Sequence, residues 1–156
     1  MSTEITMPND TDVVLSRTFD APRELLFEVW TSPEHLPHWL LGPEGWTMTA
    51  CEIDLRPGGR ARVAWRHDNG DTMEVTQDYR EVEPPARLVS TESWGGDWAA
   101  MEVTVTFEAV GGRTALTQTI RFASAEARER ALGVGMTQGL TINHDRLELL
   151  LAGLPA

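Results

Sequence analysis

At 156 residues and 17.3 kDa the chain has the size of one domain, and a chain this long buries about 70% of its unfolded surface on folding. Hydrophobic residues at 41% and charged residues at 24% are ordinary globular values that suggest neither a disordered nor a membrane class. Thirteen Lys plus Arg against 24 Asp plus Glu give a net charge of −11, which repels nucleic acid and anionic lipid. The start, "MSTEITMPND", has no basic region followed by an apolar run, and no later stretch is long enough to span a bilayer. The expectation is a cytoplasmic protein with no nucleic-acid and no membrane partner. Cys51 is the single cysteine, so no intrachain disulfide can form.

Residues 1–11 read as a short N-terminal extension and residues 12–152 as one domain. "DVVLSRTF" places Val13, Leu15 and Phe19 on one face, which predicts a strand from Asp12 to Phe19. Asp20-Ala21-Pro22 then opens a helix, because proline at the first helical position gives up only an amide that has no partner there. Its buried stripe is Leu25, Leu26, Val29 and Trp30. Ser32-Pro33-Glu34 starts a second short helix, which Pro37 and Gly42-Pro43 stop. From Trp46 the apolar period becomes two. Six strands follow, joined at Pro57-Gly58-Gly59, Asn69-Gly70, Pro84-Pro85, Gly95-Gly96 and Gly111-Gly112, so an antiparallel meander is predicted. After Ser124 the period is helical again, with Met136, Leu140, Asn143, Leu147, Leu150 and Leu151 on one face of a long helix ending near Ala152.

The predicted fold is α+β: a seven-stranded curved antiparallel sheet wrapped around a long C-terminal helix, with two short helices between strands 1 and 2. Covering one apolar face of such a sheet takes an element as long as the terminal helix. "FDAPRELLFEVWTSPEHLPHW", "GWTMTACEIDLRPGGR", "YREVEPPARLV", "VTVTFEAVGGRTALT" and "SAEARERALGVGM" are similar, in order, to motifs of the activator of heat-shock-protein-90 ATPase homologue-like family. That family is part of the START-like (SRPBCC) superfamily of polyketide cyclases and birch-pollen-allergen relatives. The resemblance implies a helix-grip fold with a cavity between sheet and helix for an apolar molecule. Two departures, Leu40-Leu41 after Trp39 where the family often has a second tryptophan and Gly139-Leu140 where it often has Gly-Trp, would enlarge or reshape that cavity. The resemblance also raises a chaperone partner, but the activator domain works with a separate N-terminal domain for which 156 residues leave no room, so that partner is disfavoured.

Strand alternation predicts the chemistry. If Leu88 and Trp94 face inward, so does Glu92, and by the same phase so do Arg17, Gln77 and Gln118. Polar groups on an apolar concave face are unfavourable unless paired, so the four are read as a patch that orients a ligand. Glu92 is also a candidate catalytic acid or base, in an enzyme of polyketide-cyclase or hydrolase type. An ion pair between Arg17 and Glu92 is the structural alternative. Trp39, Leu40, Trp46, Trp65, Met73, Trp94, Met101, Met136 and Leu140 are expected to line a cavity of about 300 Å³ or more. The Trp30 to Trp46 segment, with three prolines, would close it as a lid.

Glu34, His35 and His38 lie within one turn but lack the convergent third and fourth donors of a metal site, and "RPGGR" lacks the lysine and the helix of a phosphate loop. No metal and no cofactor is expected. The sequence therefore points to a small apolar or aromatic ligand. A catalytic function and a chaperone-associated module in a stress response stand as alternatives, and a homodimer stays open.

Overall fold

The computed structural model describes residues 2–154. Eight strands form one open, curved antiparallel sheet: β1 (Glu4–Thr6), β2 (Asp12–Phe19), β3 (Trp46–Ile53), β4 (Arg60–His67), β5 (Thr72–Glu83), β6 (Arg87–Ser93), β7 (Met101–Val110) and β8 (Arg113–Arg121). The order across the sheet is β1-β2-β8-β7-β6-β5-β4-β3. The meander from β3 to β8 follows the predicted turns. The eighth strand corrects the expected count of seven: Glu4–Thr6, read as part of an extension, pairs with Val14–Ser16 of β2. Three exposed residues with no apolar face carry no periodicity from which a strand could be read.

Helix α1 (Arg23–Thr31) buries Leu26, Phe27 and Val29, with Phe27 edge-on to Phe107 of β7 at 5.2 Å between ring centroids. The second short helix is a single 3-10 turn, Leu36–His38. The C-terminal helix departs from expectation: it is two helices, α2 (Ala125–Gly133) and α3 (Met136–Ala152). Gly135 sits at φ +87°, a left-handed conformation that no helix can run through, so the chain restarts there. Ser124 caps α2 by accepting from the Ala127 amide.

The main core lies between the concave face and α1 and α3, with Val13, Leu15, Phe19, Val105, Phe107, Leu116 and Leu147 fully enclosed. A second, smaller core of Val63, Trp65 and Val75 sits at the β4–β5 end, where Leu40, Leu41, Trp46, Met48, Cys51 and Trp94 pack on it. Two bulges, between Met48 and Ala50 and between Tyr79 and Glu81, each reset the side-chain phase. The first lets Trp46 and Met48 face the core on one side of the bulge and Cys51 and Ile53 on the other.

Candidate functional site

Glu92 stands near the end of β6, opposite Gln77 of β5 and Met101 of β7. It shares its phase with the buried Leu88 and Ser90, so it faces the concave side as the alternation predicted. Its Oε2 accepts from Gln77 Nε2 at 3.0 Å and its Oε1 from Trp94 Nε1 at 2.8 Å. Both partners are neutral. Desolvation by the surrounding sheet and loop pushes the Glu92 carboxyl above the ordinary carboxylate range, and the two N–H donors offset this only in part. Glu92 as a whole residue is half-buried.

Trp94 stacks on Trp65, with ring centroids 5.6 Å apart and planes 14° from parallel. The Trp65 indole donates to the carbonyl of Leu40 at 2.7 Å. A continuous path thus runs from the Trp30 to Trp46 segment through two stacked indoles to the carboxyl and on to Gln77. The segment is fastened from its other side by α3. Asn143 Oδ1 accepts from the amides of Leu41 at 3.0 Å and Gly42 at 2.7 Å, and Arg146 donates to the Gly42 carbonyl at 2.5 Å. Asn143 is buried. Its place on an otherwise apolar helix stripe was the signal in the sequence that it answers buried backbone amides.

The other expected residues fall into separate groups. Trp39 is fully buried in the main core, tilted against Trp30 at 4.9 Å, with its indole donating to the Val29 carbonyl at 3.2 Å. Leu40 touches both cores. Trp46 is half-buried against His67, and Met73, opposite Trp65 in register, is exposed at the rim. Met136 and Leu140 pack half-buried against the main core. Two open, shallow concavities measure about 210 Å³ and 270 Å³, and neither is bordered by Glu92. Of the expected lining residues, Met101 borders the first and Arg17 the second.

Arg17 and Gln118 do not join Glu92, which corrects the reading of the four polar groups as one patch. Arg17 pairs with Asp145 at 2.7 Å and Glu148 at 3.2 Å, not with Glu92. It also donates to the Thr3 hydroxyl at 3.2 Å, which in turn lies 2.8 Å from His144 Nδ1. Burial, and then the Arg17 charge, push the His144 imidazole down to about 4. Gln118 is diagonal to Arg17 across the β2–β8 pair and its Oε1 has no partner. Asp145 and Glu148 were legible only as acids three apart on one helix, since their contact with β2 depends on how α3 lies on the sheet.

A third cluster closes the 210 Å³ concavity. Arg130 of α2 lies 3.8 Å over the Trp98 ring and donates to Asp97 Oδ1 at 2.9 Å. It thereby ties the β6–β7 loop, which begins at Trp94, to α2. Burial holds the Cys51 thiol above its usual range and therefore protonated, which argues against a nucleophile there. Among the described residues no group of three or more His, Cys, Asp or Glu could hold a metal ion, and no helix is long and apolar enough to cross a membrane.

Residues 20–152 match the family described as Activator of Hsp90 ATPase homolog 1-like protein, and the chain belongs to that family. A crystal structure of a protein from Rhodobacter sphaeroides is 31% identical, covers 99% of this chain and 100% of its own, and superposes with a TM-score of 0.93. The AHSA1 protein from Silicibacter pomeroyi is 26% identical over 90% of this chain and 97% of its own, with a TM-score of 0.73. A protein from Mycobacterium smegmatis, 22% identical with full coverage of both chains and a TM-score of 0.87, shares the fold. No curated protein matches the chain. The fold is START-like, and folds of this class commonly bind hydrophobic ligands.

Proposed function

We propose that this protein binds a small apolar or aromatic molecule with one polar end, held on the concave face beside Trp65 and Trp94 with its polar end at Glu92. The observation that supports this reading most is the Glu92 carboxyl itself, desolvated and without a counter-charge, on an aromatic bed. A carboxyl in such a place is unfavourable for folding alone, and sites that carry this kind of strain are where ligands are taken up. Leu40, bonded to Trp65 and followed by Leu41 and Gly42 that α3 holds, closes the site from above in the bound state. Titration of apolar aromatic probes against tryptophan fluorescence tests the proposal. Saturable quenching in the wild type that weakens on replacing Trp65 or Trp94 with leucine is expected. Probes that leave the spectrum unchanged up to their solubility limit would end this reading.

A catalytic reading has one observation in its favour, the same raised carboxyl, which suits a general acid. For a reaction that uses it, Glu92→Gln would lower kcat by about a hundredfold or more while KM changes little.

A further inference from the structure

We infer that the polar end of the ligand is a cationic amine or amidine, with Glu92 as its counter-ion. This rests on the binding site proposed above and names the chemistry that site selects. The argument is one of hydrogen-bond capacity. The indole N–H groups of Trp65 and Trp94 are both committed, to the Leu40 carbonyl and to Glu92 Oε1, and Gln77 donates to Glu92 Oε2. What remains on the carboxyl is acceptor capacity, because a carboxylate accepts up to about four hydrogen bonds and two are filled. With Glu92 ionised, a ligand that only accepts hydrogen bonds would thus compete with Gln77 and Trp94 for their N–H groups. A ligand that donates adds to them.

Charge points the same way. Arg60, Arg62 and Arg80, on strands β4 and β5 beside Glu92, pair with Asp78, Glu74 and Glu102 at exposed positions on the other face of the sheet. Arg17, on the inner face, is engaged by Asp145 and Glu148 at the far end. Tyr79 is buried with its hydroxyl pushed up to about 12, and the Cys51 thiol is also raised, so neither adds a charge to the inner face. Among the described residues no cation on the inner face pairs with Glu92, and a bound cation would complete a charge-assisted pair out of water. The stacked Trp65 and Trp94 rings supply a further cation–π attraction, and the net charge of −11 raises the local concentration of cations.

The test uses one ring with three polar ends: 1-(aminomethyl)naphthalene, 1-naphthalenemethanol and 1-acetonaphthone, titrated calorimetrically into the full chain at pH 7.5. The amine is expected to bind at least tenfold more tightly than the alcohol and the ketone. Glu92→Gln should remove that preference, weakening the amine tenfold or more and the alcohol less than threefold. In the wild type, affinity for the amine should rise with pH as Glu92 ionises, while affinity for the alcohol stays level. This last arm needs no variant and holds even where Glu92→Gln folds poorly. Equal binding of all three probes, a ketone preference or a flat pH profile for the amine would overturn the inference and leave the binding site standing. Failure of all three to bind would overturn the binding site and the inference together.

Discussion

At the β2–β8 end of the concave face a buried Arg17 is held by two carboxylates, a threonine hydroxyl and, through that hydroxyl, a histidine. At the β5–β6 end Glu92 is held by an amide and an indole and by no charge. Both ends bury ionisable groups among apolar side chains, yet only one is neutralised from within the chain. The difference separates two uses of polarity. A compensated charge fixes how β1, β2 and α3 meet, whereas an uncompensated one leaves an interaction for something outside the chain to make.

The largest effect is expected where compensation is removed. Replacing both Asp145 and Glu148 by their amides leaves the Arg17 guanidinium, 1% exposed, without a counter-charge. The expected loss is about 3 kcal/mol, a fall in Tm of about 10 °C, toward the lower end for a buried pair because both acids reach solvent. A fall of under 2 °C in thermal melts would show that the two ends are alike.

The pH profile sharpens the contrast, because the two ends titrate in opposite senses. His144 has its folded value depressed to about 4, so the unfolded chain binds more protons than the folded one below about 6.5. Its contribution is present above about 6.5 and is lost as pH falls through about 4, amounting to about 2 kcal/mol by pH 5. His144→Gln should flatten the acid limb of a plot of stability against pH. Glu92 has its folded value raised, so its contribution is full below its unfolded value and is lost as pH rises through the folded one. Glu92→Gln should therefore match the wild type at pH 4 and exceed its stability by about 1 kcal/mol at pH 8, measured by urea unfolding. Destabilisation by Glu92→Gln at pH 8 would mean that the carboxylate is compensated after all.

The smallest effect belongs to a pair outside the comparison. Asp97→Asn breaks the ion pair with Arg130, but both groups are open to water. The change in Tm should fall within the scatter of replicate thermal melts, while the Arg130 contact with the Trp98 ring persists.

How far the sequence carried the argument follows from the range of each signal. Strand phase is a local property, so the inward face of Glu92, Gln77 and Gln118 and the meander of β3 to β8 were legible. Partner choice is not local. Arg17 finds Asp145 and Glu148 across 128 and 131 residues, and nothing in the alternation of β2 favours those acids over Glu92. Trp39 shows the same limit at shorter range: its sequence neighbours suggested a lid, but the nearby Val29 carbonyl and Trp30 ring draw it into the main core. The break at Gly135 was half legible, since glycines at 133, 135 and 139 marked a weak stretch without showing which one would turn left-handed.

That turn divides the C-terminal region into two segments of unequal attachment. Helix α2 buries only Ala131, whereas α3 buries Asn143, His144, Leu147 and Leu151. In native-state hydrogen exchange the amides of α2 should therefore trade with solvent through a sub-global opening well below the free energy of complete unfolding, and those of α3 only with the whole domain. Since Arg130 carries the β6–β7 loop with it, such an opening would expose Trp98 while Leu147 stays shielded.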